Sequence, residues 1–303
     1  MPRLPDFLII GAMKSATSTL HRQLAAQPEF WMSSPKEHYF LSDDAIYGRG
    51  AHWYAQQFRN VSPNLLLGVS NTHCTKLPSY PRVVERIQES LPDAKFIYVM
   101  RNPLERIISQ YLHEWLEREV SVSFELALLE RPELVAYSQY ARQLRPYLEA
   151  FGPQRVLPVF VSRLRTQPQL ELERVVAFLG GRERPIWRQE RAWENVSAQR
   201  LRFSRWRDAV LYAPGVSQLR QALPQKLRDR FKRLWRRPRP VLTANQRAQL
   251  AAQLDPDLAE LGTWLGAAEL TCENFDEVTK QANLGWQVDD ERLGRNRAAA
   301  AGR

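Results

Sequence analysis

The chain has 303 residues, is 44% hydrophobic and 25% charged, and carries a formal net charge of +10. That length and apolar content support one large α/β domain or two small ones, and exclude a collagenous, repetitive or broadly disordered chain. Two cysteines, Cys74 and Cys272, give neither a disulfide framework nor zinc spacing and fit a reducing compartment; no run approaches the ~20 apolar residues of a membrane span.

Residues 7–10, Phe-Leu-Ile-Ile, are too short a run for a buried helix and suit a central parallel strand. Gly11 ends the run. A loop with Lys14, Ser15 and Ala16 follows, and Thr17, Ser18 and Thr19 open a helix whose Leu20 and Leu24 recur at helical spacing. A strand, a small-residue loop with a lysine and a helix start together make an anion site. First-turn N–H groups lack helical acceptors, the helix dipole favours negative charge, and Lys14 adds a full positive one. The spacing is not that of a Walker A loop, because Lys14 comes three residues after Gly11 and no second glycine precedes it. An ordinary ATP or GTP site is therefore disfavoured. Residues 11–20 instead resemble the 5′-phosphosulfate loop of sulfotransferases that use 3′-phosphoadenosine 5′-phosphosulfate (PAPS), which reads G-x-x-K-[SC]-[GA]-T-[ST]-x-L. The resemblance implies that Lys14, Ser15, Ala16, Thr17, Ser18 and Thr19 bind the cofactor. Ala16 stands where many members have glycine.

A second short strand at 29–32 ends in Ser33-Ser34-Pro35 and is followed by Lys36-Glu37-His38-Tyr39-Phe40. After an acidic loop with Asp43 and Asp44, residues 47–54 lead into a helix that reaches Phe58. This succession resembles heparan-type glycan sulfotransferases, where a K-E-x-x-F-F-like turn precedes a G-x-x-W-Y helix and the turn glutamate is the catalytic base. The resemblance gives that role to Glu37. A third strand, 65–70, runs into Thr72-His73-Cys74. Glycan sulfotransferases have a Gly-Glu pair near this point, whereas this chain has Gly68-Val69 and lacks that glutamate. Thr72-His73 is similar instead to the T-H-L-P-like segment of cytosolic phenol and steroid sulfotransferases, whose histidine is their base. His73 thus rivals Glu37. A helix over 81–91 then places Val83, Val84, Ile87 and Leu91 on one face.

Residues 96–100 make a buried strand ending in Arg101. Pro103 occupies a first helical turn, where its missing N–H costs nothing, and Ser109 lies two turns further in. An arginine at a strand's carboxyl end beside a helix start can clamp a phosphate through two parallel hydrogen bonds. Residues 101–111 resemble the family's 3′-phosphate element, R-[ND]-P-x-[ED]-R-x-x-S-x-Y, which assigns that contact to Arg101 and Ser109. A helix over 138–151 is similar to the family's G-x-Y-x-x-x-L segment, with Tyr140 either near the nucleotide or in the core. Residues 155–160 form a fifth strand, at an edge because of Pro158. A helix over 170–179 is closed by Gly180-Gly181, and residues 191–197 resemble the family's N-x-S loop over the nucleotide.

Residues 200–239 hold thirteen Arg or Lys against Asp208 and Asp229, which implies an anionic partner: nucleotide, acidic glycan, lipid head groups or nucleic acid. The apolar positions Leu227, Phe231, Leu234 and Trp235 suit either a membrane surface or packing on the domain. Residues 243–266 are helical, with a break between two helices expected at Pro256. Residues 286–303 are expected to be a polar, disordered tail.

Five strands alternating with helices predict an α/β fold, a doubly wound and mainly five-stranded parallel sheet with a P-loop-like phosphate loop and a helical C-terminal part. Residues 1–285 are expected to form a single domain, with its core at 6–180. The resemblance implies a PAPS-dependent sulfotransferase, without a metal, acting on the hydroxyl or amine of a glycan, glycolipid or other hydroxyl compound. Golgi relatives carry a membrane anchor; this chain is expected to be a soluble, cytoplasmic bacterial relative. Two other classes stay open. A kinase with a degenerate P-loop would need a Mg²⁺ carboxylate after a strand. A basic membrane- or nucleic-acid-binding module would work through 200–239 but leave both phosphate elements unexplained, so no nucleic acid is expected.

Overall fold

The computed structural model describes residues 3–117, 119–191, 239–267, 269–281 and 284–288. The apolar runs form β1 (Phe7–Gly11), β2 (Phe30–Met32), β3 (Leu66–Ser70), β4 (Lys95–Met100) and β5 (Val156–Phe160). They make one sheet in the order β2-β3-β1-β4-β5, with every neighbouring pair parallel. Alternation along β1 decides which side chain enters which core. Leu8 and Ile10 join one buried cluster with Phe96 and Tyr98, while Phe7 and Ile9 join another with Ile97 and Val99. Both faces of the strands are covered, which is why these segments are continuous apolar runs. Pro158 sits in β5 opposite Tyr98 of β4, and β5 is an edge strand as its proline requires.

The connections supply α1 (Thr17–Leu24), α2 (Asp44–Tyr47), α3 (Gly50–Gln56), α4 (Val83–Ser90), α5 (Pro103–Leu116), α6 (Phe124–Glu130), α7 (Glu133–Ala136), α8 (Tyr140–Phe151), α9 (Val161–Thr166) and α10 (Pro168–Leu179). The helix expected to reach Phe58 is α3, which ends at Gln56, and α2 is a separate short helix in the acidic loop before it. The Asp43 carboxylate caps α2 by accepting from Ile46 N–H. Asn102 caps α5 in the same way, with Pro103 in the first turn.

The C-terminal part corrects one expectation. α11 (Ala244–Leu265) runs unbroken through Pro256. Leu250, Leu254, Leu258, Leu261 and Leu265 are all buried along its inner side, and each contributes about 1.5–3 kcal/mol. Together they outweigh the ~3 kcal/mol cost of an interior proline. Pro256 and Ala252, whose carbonyl loses its helical partner, are both exposed, so water can meet that carbonyl. A last short helix, α12 (Phe275–Val278), packs Phe275 against Tyr140 and Phe160. Residues 286–288 also depart from the expected tail: Trp286 Nε1 donates to Val156 O at 2.5 Å and Val288 is buried. Of the loop at 191–197 and the basic block at 200–239, only the end residues 191 and 239 are among the described residues; the rest of both, and the tail beyond 288, lie outside them.

Asp257 of α11 performs a task at a distance. Its two carboxylate oxygens each accept from a first-turn amide of α8, Ala141 N and Arg142 N, both at 2.9 Å. Gln139, the local cap position, provides no side-chain bond. Burial pushes the Asp257 carboxyl up to about 6, with the two amides offsetting only part of the rise. Asp257→Ala should therefore cost about 1–2 kcal/mol in chemical denaturation, the value of a lost helix cap, and Asp257→Asn should recover part of it.

Candidate active site

The carboxyl ends of β1, β3 and β4 meet at one point because β1 lies between the other two. At the end of β1, Gly11 has φ 154°, and a Cβ there would lie 2.0 Å from Thr75 Oγ1. That hydroxyl donates to Ile10 O at 2.7 Å and locks the strand end, so only glycine fits. The loop then turns through Lys14 and Ala16, whose φ values of 68° and 62° are left-handed. Ala16 is the N-cap of α1 and has no side-chain oxygen to offer. The Thr17 and Ser18 amides are left for a ligand, while Thr19 N–H donates to Ala16 O at 3.0 Å.

The turn after β2 completes this end. Lys36 Nζ donates to Thr17 Oγ1 at 3.3 Å and Ser18 Oγ at 3.2 Å, and lies 3.5 Å from Glu37 Oε1. Burial lowers the Lys36 pKa, and the neighbouring Glu37 carboxylate partly offsets this. Glu37 also accepts from Thr72 Oγ1 at 3.3 Å, which ties it to the end of β3. Beside Thr72, the His73 ring stacks on Tyr80 at 4.3 Å and lies 4.9 Å from the Tyr39 ring. Its Nδ1 is 3.1 Å from Ser42 Oγ. Burial, with Lys76 adding to it, pushes His73 down to about 4, so the imidazole is neutral near pH 7.

At the end of β4, Arg101 Nη2 donates to Glu105 Oε2 at 2.7 Å, while Arg101 Nε is buried with no hydrogen-bond partner. Arg239, arriving from the far side of the basic block, pairs with the same Glu105 oxygen. Burial lowers the Arg101 pKa, Glu105 counters it, and the charges of Arg165 and Arg239 lower it further. A buried guanidinium with an unmet donor and cationic neighbours is a receptor for an anion.

A cavity of about 890 Å³ joins these parts. Its wall contains Lys14, residues 16–19, Glu37, His73, Arg101 and Ser109, which the sequence had placed in one site. Two of the sequence-derived residues are not brought to it. Ser15 is fully buried at the loop's inner side. Tyr140 is also fully buried, and its hydroxyl donates to Arg101 O at 2.6 Å, so it holds the backbone that carries Arg101 rather than facing a nucleotide. Conversely, the cavity is also lined by Lys36, Lys76 and Arg165, to which the sequence reading gave no role at the site, and by Arg239, the end of the basic block read as meeting an anionic partner. Lys36 had a signal in its adjacency to Glu37; the others belong to no local motif. Among the described residues, no three His, Cys, Asp or Glu side chains converge as a metal site, and no helix is long and apolar enough to cross a membrane.

The left-handed Ala16 costs about 1–2 kcal/mol relative to a residue without a Cβ. Ala16→Gly should therefore leave stability unchanged or raise it by up to about 1 kcal/mol, part of the strain relief being lost to the freer unfolded chain. A denaturation midpoint well below that of the parent would contradict this backbone geometry.

Comparison with known proteins agrees with this geometry. Residues 54–184 match the model of the sulfotransferase family. Heparan sulfate glucosamine 3-O-sulfotransferase 3B1 of Mus musculus is 33% identical over 190 residues, covering 59% of this chain and 46% of that protein. Membrane-associated sulfotransferase kil1 of Dictyostelium discoideum is 32% identical over 160 residues, covering 49% of this chain and 32% of that protein. The chain spans about half or less of the length of these relatives. A solved sulfotransferase from Alicyclobacillus acidocaldarius shares the fold with a TM-score of 0.62 at 21% identity, covering 88% of this chain and 97% of that one. Over residues 54–184 this chain is thus similar to the sulfotransferase family.

Proposed function

We propose that the cavity takes PAPS and that the protein moves a sulfuryl group from it to an acceptor hydroxyl. The observation that carries this reading is the presence of two separate anion receptors in one cavity: the uncapped start of α1 with Lys14, and the buried, unmet Nε of Arg101. PAPS, with its 5′-phosphosulfate and 3′-phosphate, supplies the sulfuryl group and one anion for each receptor. Lys14 and the amides of Thr17 and Ser18 hold the first, while Arg101 and Ser109 hold the second.

Glu37 takes the acceptor hydroxyl proton as the acceptor oxygen bonds to sulfur and the bond from sulfur to the departing phosphate oxygen breaks. That oxygen keeps the electron pair, and Lys14 and Lys36 neutralise its charge from fixed positions. Glu37 suits the task by place, since it lies between Lys36 at the phosphate loop and Thr72 at the end of β3. His73, kept neutral by burial and stacked between two tyrosines, positions the acceptor side of the cavity. The names of the heparan sulfate relatives favour a carbohydrate hydroxyl as acceptor.

Glu37→Gln should lower kcat by ~100-fold or more with the KM for PAPS little changed, the usual cost of a lost general base. His73→Gln should lower it less than about tenfold, well short of the general-base range; equal losses would move the base to the histidine. Lys14→Ala should also cost ~100-fold or more, as a lost electrostatic donor does.

Calorimetry with adenosine 3′,5′-bisphosphate (PAP) beside ATP tests the nucleotide itself. PAP should bind more tightly than ATP, and Arg101→Ala should weaken PAP by at least about tenfold, the value of one charge-assisted contact. Equal binding of both nucleotides would move the kinase reading ahead.

A further inference from the structure

The charges in the cavity wall are sorted by sign. On the nucleotide side stand Lys14, Lys36, Arg101, Arg165 and Arg239, while Glu105, which pairs with Arg101 and Arg239, lies outside the lining. Beyond Glu37 the balance changes. Glu114, Glu119 and Glu133 line the wall there among the described residues, against Lys76 and Arg131. Arg131 is already engaged, donating to Glu133 Oε1 at 2.6 Å and lying 3.6 Å from Glu114 Oε2. Lys76 lies in the field of Glu37, Glu114 and Glu119 and 5.8 Å from the Tyr137 ring centre. A sulfated chain entering this half would meet carboxylates, and like charges at close range oppose binding.

The same half is built from aromatic rings. Tyr39, His73 and Tyr80 form a continuous stack beside Glu37, and Tyr39, at one end of it, is 42% exposed. Tyr39 is also held at φ 54°, a left-handed conformation that a bulky residue adopts only where its surroundings impose it. A ring platform flanked by carboxylates has a definite complement. The π face attracts the weakly positive C–H face of a sugar ring, and carboxylate oxygens accept hydrogen bonds from its hydroxyls. Glu114 is prepared for such a contact. It is 4% exposed, and its Oε1 is held by Gln110 Nε2 at 2.5 Å. Its Oε2 has no hydrogen-bond partner.

We infer that the half of the cavity beyond Glu37 is an acceptor subsite for an uncharged sugar ring, with Tyr39 as its stacking platform and the Glu114 carboxylate as a hydroxyl acceptor. This rests on the sulfuryl-transfer reading and narrows it: the acceptor is a neutral saccharide or glycoside, not a polysulfated chain. Glu37, at the seam between the basic and acidic halves, then faces the hydroxyl of a ring lying on Tyr39.

The test is transfer from labelled PAPS to neutral oligomers of glucose, mannose and N-acetylglucosamine, set beside heparin fragments of matched length. The expected result is transfer to at least one neutral oligomer with kcat/KM at least tenfold above that for any heparin fragment. Tyr39→Ala should raise the KM for that oligomer at least tenfold while leaving PAP affinity, read by calorimetry, unchanged, and Tyr39→Trp should restore the KM. Transfer to none of the neutral oligomers, faster transfer to heparin fragments, or an unchanged KM in Tyr39→Ala would overturn the assignment while PAP still binds. Failure of the parent protein to bind PAP would instead overturn the reading beneath it.

Discussion

Because Ala16 offers α1 no side-chain cap, the N–H groups of Thr17 and Ser18 have no acceptor among the described residues. Both residues line the cavity, so the helix start needs an acceptor from the cavity side, where the helix dipole favours an anion. The rest of the site is arranged around that need. A sheet order with β1 between β3 and β4 brings three loops to the same carboxyl edge, which is where ligands bind in open α/β sheets. Lys14 and Lys36 converge on the loop, and Arg101 follows β4 at the cavity's second anion receptor. Keeping Lys36 there has its own cost, seen in a pKa lowered by burial; Glu37 and the hydroxyls of Thr17 and Ser18 offset it.

What was legible in the sequence is what local physics determines. Strands covered on both faces must be continuous apolar runs, and β1, β3, β4 and β5 were all readable as such. The two phosphate elements were legible because each is a strand, a short loop and a helix start in direct succession, with the charged residue at a fixed place. Pro256 misled because a proline's local cost is visible in sequence, whereas the burial of five leucines against the domain is a tertiary fact. The sequence leaves Tyr140 open between nucleotide and core for a related reason. A tyrosine near a helix start can face a ligand or the core, and here its hydroxyl is taken by Arg101 O.

The acceptor side was illegible for a different reason. Tyr39, Lys76, Tyr80, Glu114, Arg131 and Glu133 come from the turns after β2 and β3, from α5 and from the turn into α7, with no common spacing. A site assembled from such distant segments leaves no pattern in any one of them. It also varies independently of the nucleotide site, since loops change without disturbing the strands that hold Lys14 and Arg101. Resemblance to the sulfotransferase family is therefore informative about the donor end and much less about the acceptor.

The two ends are nonetheless held at a fixed separation by α5. Arg101 immediately precedes this helix, Glu105 and Ser109 occupy its first two turns, and Glu114 lies five residues beyond Ser109, about 7.5 Å along the axis. The helix is fastened by Arg106, fully buried, whose guanidinium donates to Ser138 Oγ at 2.5 Å, Gln110 Oε1 at 2.8 Å and Leu134 O at 2.6 Å. Gln110 in turn holds Glu114. One buried arginine thus links the segment before α8 to the Glu114 carboxylate, while Ser109 of the same helix lines the cavity. In-line transfer depends on the separation of donor and acceptor to a fraction of an ångström, and a rigid helix with a satisfied buried charge keeps that separation better than two loops would.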